Sequence, residues 1–146
     1  MVKSILLIVL SSVFLSLAAC TETATDMPPS EVGTTTAEVS EAGMFVPVEK
    51  TTTGQVVVRS ENGRTYLEFS EDFQTSSGPD LHVLLDIAST PPDAYANIAS
   101  YVKLGSLESA RGAQRYEVPE DVQVADYQSV VIWCEQFDMV YGYAPL

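Results

Sequence analysis

Two cysteines and one histidine carry most of the reactive potential in this 146-residue chain, and the three sit in unlike settings. Cys134 lies in "SVVIWCEQF", a strand-forming apolar run, directly after the single tryptophan, Trp133. A thiol there can be a small core hydrophobe, or a nucleophile and redox group if it ionises. No lysine or arginine lies near it in sequence to lower its pKa. Alternation puts Cys134 on one strand face with Val130 and Ile132, and Trp133 and Glu135 on the other. His82 sits in "DLHVLLDIA". As the lone histidine it excludes a multi-histidine metal centre within one chain, and no residue is assigned as a metal ligand. The adjacent acids Glu71-Asp72 and Glu120-Asp121 lie in turn-like sequence and read as solvated charge. The chain has no GxSxG, P-loop, GxGxxG, HExxH or CxxCH pattern. A hydrolase has no identifiable nucleophile–base pair here.

Cys20 ends "MVKSILLIVLSSVFLSLAAC", with a lysine at Lys3, an apolar run from Ile5 to Leu17, and small residues before the cysteine. This is the layout of a secretory leader, too short for a spanning helix. Leu17-Ala18-Ala19-Cys20 resembles a bacterial lipobox. That resemblance implies a leader over 1–19 and lipid on the Cys20 thiol, so that acyl chains provide the membrane partner. Thr21 is not aspartate, which leans toward the outer membrane in a Gram-negative cell. The expected location is the cell envelope, on the extracytoplasmic side. With Cys20 acylated, Cys134 is the only thiol left, and no intramolecular disulfide can form.

All 20 acidic residues follow Cys20, against six basic ones. A surface so charged repels phosphate backbones and anionic headgroups, which argues against nucleic acid and leaves anchoring to the lipid. From Thr21 to Gly43 the sequence has no basic or aromatic residue. With Cys20, residues 20–43 are expected to be an acidic, disordered tether, reaching about 25 Å as a flexible coil.

The elements that position Cys134 and His82 therefore lie in 44–146. Val56 to Arg59 and Arg64 to Phe69 are strand-like runs joined by Asn62-Gly63, the residues a type I′ hairpin turn requires. Thr65, Leu67 and Phe69 share one face of the second strand. Leu81 to Ala88, "YVKLGSL", "GAQRYEVP", Ser129 to Phe137 and "DMVYGYAPL" read as further strands. "EDVQVADYQ" is open between a helical turn and a strand, and "STPPDAYANIAS" is a loop with at most one helical turn. Gly63, Gly78 and Gly112 read as turn glycines, Pro79 and Pro119 as corners, and Tyr116 and Trp133 as core aromatics. Short strands and frequent turns indicate an all-β fold, a small sandwich or barrel.

"GPDLHVLL" (78–85), "LGSL…GAQRYEVP" (104–119), "SVVIWCEQF" (129–137) and the closing "YGYAPL" together resemble the electron-transfer DM-thirteen domain. The resemblance implies an all-β extracytoplasmic module with a role in electron transfer, more an accessory than a stand-alone enzyme. It maps the family's cysteine onto Cys134, as a bare redox thiol or the holder of a prosthetic group such as haem. Opposite ligands for a haem on Cys134 would come from His82, Met44 or Met139. A lone thiol cannot cycle as a dithiol, so a redox protein partner is implied. The alternative is a non-catalytic surface module in which Cys134 is core.

Overall fold

A computed structural model describes residues 38–96 and 98–146. The leader (1–19), Cys20 and the tether up to residue 37 lie outside the described residues.

Among the described residues, eleven strands run in the order β1 (Glu38–Met44), β2 (Val46–Pro47), β3 (Thr52–Thr53), β4 (Gln55–Glu61), β5 (Arg64–Phe69), β6 (Gln74–Thr75), β7 (Leu81–Asp86), β8 (Tyr101–Ser106), β9 (Gln114–Val118), β10 (Ser129–Cys134) and β11 (Met139–Pro145). They form two larger antiparallel sheets, ordered β1-β4-β5-β9 and β2-β11-β10-β7-β8, and a ribbon of β3 with β6. The fold is all-β and sandwich-like. A 3₁₀ turn, Val124–Asp126, resolves the ambiguous "EDVQVADYQ". No helix among the described residues is long and apolar enough to cross a membrane.

The β4–β5 hairpin forms as its turn chemistry requires: Asn62 and Gly63 both take positive φ, 53° and 77°. Leu67 and Phe69 face inward and are buried. The tether boundary differs from the sequence expectation. Residues 38–43, assigned to the acidic linker, pair with β4 as part of β1. Composition missed this strand because all but Glu41 and Gly43 are exposed, so it needs ladder hydrogen bonds rather than apolar residues.

Val56, Val58, Leu67, Phe69, Tyr116 and Val118 of one sheet pack against Val83, Leu85, Val130, Ile132 and Cys134 of the other. Each fully buried aliphatic side chain here contributes about 1.5–3 kcal/mol. Phe45, Phe69 and Phe73 fill one end with ring centroids 4.7–5.2 Å apart.

The outer face of the five-stranded sheet is covered as well. Leu84, Val131, Trp133 and Val140 pack there under Tyr95, from the loop between β7 and β8. Every residue of β7 and β10 is consequently buried. This explains why both read as continuous apolar runs rather than alternating ones. Two carboxylate networks hold the loop. Asp86, with no exposed surface, accepts hydrogen bonds from Tyr95 Oη (2.6 Å), the Ala88 amide (2.7 Å) and Ser100 Oγ (3.3 Å). Asp138 accepts from the amides of Tyr95 (2.6 Å) and Ala96 (2.9 Å) and from Trp133 Nε1 (3.2 Å).

Candidate functional site

β7 and β10 carry both sequence-derived candidates within the described residues, and their register decides how these relate. Cys134 pairs with Leu81, and Trp133 pairs with His82. Cross-strand partners share a face, and neighbours along a strand do not. Cys134 therefore points between the sheets, and His82 points to the outer face beside Trp133.

On the inner face the Cys134 sulfur has no exposed surface and donates to the Pro79 carbonyl at 2.9 Å. A bulge in β11 supplies its other neighbour. The β10–β11 register shifts between Ile132 and Trp133, leaving Tyr141 as the extra residue. That bulge turns Tyr141 inward, where its phenol pKa is raised by burial first and then by the Cys134 sulfur beside it. Gly78 closes over this pair, since a Cβ there would lie 2.4 Å from the Tyr141 hydroxyl oxygen. Met139, opposite Cys134 on β11, shares the face and packs against the same core.

The outer face presents a polar cluster that sequence reasoning missed. His82 Nε2 lies 2.9 Å from Asp80 Oδ1 and 3.0 Å from Glu135 Oε2. The Glu135 amide donates to the Asp80 carbonyl at 3.0 Å, tying the start of β7 to the end of β10. Lys103 Nζ pairs with the same Glu135 carboxylate and stands 5.5 Å from the centre of the Trp133 ring. A second bulge, at Leu104 in β8, places Lys103 opposite Leu84 on this face. The spacing of Asp80 and His82 hinted at convergence, but Glu135 is 53 residues further on and only pairing brings it in.

Gly78-Pro79-Asp80 thus serves both faces: glycine on Tyr141, proline carbonyl on Cys134, aspartate on His82. The Gln114-x-Tyr116 motif acts elsewhere. Tyr116 Oη donates to Gln114 Oε1 at 2.6 Å and accepts from the Glu108 amide at 3.0 Å, fixing the turn before β9. Burial is the main cause that pushes the Tyr116 phenol up to about 12.

A haem does not fit these residues. Cys134 and His82 lie on opposite faces of one sheet, so one planar group between them is excluded by the pleat. Met44 is 71% exposed at the end of β1 in the other sheet. Met139 is close to Cys134, but close-packed core occupies the space a haem would need. A cleft of about 330 Å³ is lined by Ser77, Gly78, Asp80, Leu81 and Ser106–Ala110, and Cys134 is not among its lining residues.

Comparisons with curated proteins and with solved structures give no match. Residues 44–146 match the family described as Electron transfer DM13, over every strand from the end of β1 to β11. The chain belongs to the DM13 electron-transfer domain family.

Proposed function

We propose that this protein is an electron-transfer module tethered at the extracytoplasmic face of the cell envelope by lipid on Cys20. In this reading Cys134 is the redox-linked residue, and a redox protein exchanges electrons with it. The observation that carries the reading is the family match over the folded domain. The leader pattern ending at Cys20 supports the anchor.

The site narrows the chemistry. Thiol–disulfide exchange needs a nucleophile in contact with sulfur. The Cys134 sulfur lies beneath the loop containing Gly78–Asp80 and has no exposed surface. Electron exchange across a few ångströms of packed protein requires no such contact. A redox role for Cys134 is therefore long-range: the redox partner takes one electron, the S–H proton leaves with it, and the hydrogen bond to the Pro79 carbonyl exists only in the reduced state.

Voltammetry of the full chain tests this. A wave present in the wild type and absent in a folded Cys134→Ser variant supports it. A wave that persists in the variant, or is missing from both, removes Cys134 as the centre. The second reading, a surface module in which Cys134 is core, is favoured by the place of that sulfur in the main apolar cluster. Absence of a wave with destabilised Cys134 variants would support it. Incorporation of labelled fatty acid that is lost in Cys20→Ala tests the anchor.

A further inference from the structure

We propose that Asp80, His82 and Glu135 form a binding site for a divalent first-row transition-metal ion. The site does not rest on the electron-transfer reading, since its histidine faces the opposite side of the sheet from the Cys134 sulfur.

Three observations carry it. The first is convergence. One ligand atom from each residue lies within 4.8 Å of the other two. The 2.9 Å and 3.0 Å N···O separations match the edges of a coordination shell. Metal bonds of about 2.0–2.2 Å at right angles span edges of about 3 Å. An imidazole offers Nε2 a single proton, and here two carboxylate oxygens converge on it. A cation at the focus of the three atoms would satisfy both.

The second observation is the setting of His82. Its side chain is nine-tenths buried with Nε2 aimed at the two carboxylates; a metal on Nε2 places the ring proton on Nδ1, which has no hydrogen-bond partner among the described residues. Packing beside Trp133 therefore orients the ring, while Asp80 and Glu135 stand half-exposed and leave a route from solvent. The Glu135 amide bond to the Asp80 carbonyl holds the two ligand-bearing segments together in advance.

The third is Lys103. Its ammonium already occupies the cation position at Glu135, from a side chain about one-third exposed that can swing away. The site therefore selects positive charge, and a metal would displace the lysine.

One imidazole with two carboxylates suits borderline ions such as Zn²⁺ and Cu²⁺, and the ordinary affinity order puts Cu²⁺ first. Ca²⁺ and Mg²⁺ take oxygen ligands and gain nothing from His82. Three protein ligands leave at least one position for water.

Cu²⁺ is titrated into the full chain in detergent while Trp133 fluorescence is read. It is the only tryptophan, and its ring centre lies 6.3 Å from that of His82. Zn²⁺ calorimetry provides a readout free of quenching. The expected result is saturable 1:1 binding, weakened about 100-fold by His82→Gln and about 10-fold by Asp80→Asn or Glu135→Gln. Asp80 has a φ of 55°, which asparagine tolerates, and Glu135 is exposed, so both conservative variants keep the fold. Lys103→Met is expected to tighten binding several-fold by freeing Glu135. The proposal fails if Cu²⁺ and Zn²⁺ show no saturable binding up to about 1 mM, a range in which an imidazole–dicarboxylate site should load. It also fails if the carboxamide variants bind like wild type, or if Ca²⁺ competes equally, as a diffuse acidic surface would allow.

Discussion

Cys134 and His82 lie on paired strands one position out of register, so they address opposite faces of the same sheet. The inner residue is a covered thiol and the outer one an imidazole between two carboxylates. The two side chains are thus set in separate surroundings, one apolar and one acidic.

The Cys134 thiol is expected to resist labelling until the loop over it opens. Native protein should react with a thiol reagent at least about 100-fold more slowly than denatured protein, because reaction requires local unfolding. Gly78→Ala drives a methyl group into the Tyr141 hydroxyl and should cost about 1–3 kcal/mol. Labelling of Cys134 in that variant should be faster. Equal rates in the two proteins would show that the Gly78 contact does not cover the sulfur.

Tyr116 should make the domain sensitive to alkali. Burial pushes its phenol from the ordinary 10.0 up to about 12 in the folded protein. Between those values the folded state holds a proton that the unfolded state has lost, so stability falls as pH rises through that window. Tyr116→Phe strips the Glu108 amide of its acceptor and should cost about 1–3 kcal/mol near neutral pH. Urea unfolding of both proteins at neutral pH and at pH 11 checks this: the variant should lose less stability between the two.

Asp138 should report acid through Trp133. Hydrogen bonds from the Tyr95 amide hold its carboxyl below the ordinary 3.8, helped by those from Ala96 and Trp133. The stability it contributes is present above about pH 4 and disappears as pH falls through the lower folded value. Trp133 emission should shift to the red over that range as the Tyr95 segment releases. Asp138 has a φ of 46°, which asparagine also accepts, so Asp138→Asn should fold and lose this transition. An unchanged emission titration in that variant would assign the acid sensitivity to another group.

Removing β1 should expose an edge. A chain beginning at Met44, where the family match starts, leaves one edge of β4 unpaired. It should melt below a chain beginning at residue 33 and associate more readily, because an unpaired strand edge is a template for pairing. Matching melting curves and light scattering would show that β1 contributes nothing.

Much of the frame is legible in the residues. Asn62-Gly63 specifies its hairpin because few other pairs take positive φ twice. The apolar runs at 81–86 and 129–134 announce strands, and their lack of alternation reflects cover on both faces. The combination of Gly78-Pro79-Asp80, Gln114-x-Tyr116 and Trp133-Cys134 was enough to indicate the family.

What the sequence could not determine is which side chains meet. Alternation places Cys134 and Trp133 on opposite faces of β10, yet it does not reveal that His82 pairs with Trp133 rather than Cys134. Register is a property of two strands, and slipping it by one residue exchanges every face. The bulges at Tyr141 and Leu104 act in the same way. Each extra residue reverses the alternation beyond it, bringing Tyr141 onto the thiol and Lys103 onto Glu135. Nothing local marks either position, since a bulge is settled by the packing of both sheets at once. The thiol and its chain setting were visible from the residues alone; that it is sealed, and that the histidine belongs to a separate acidic cluster, was decided only by strand pairing.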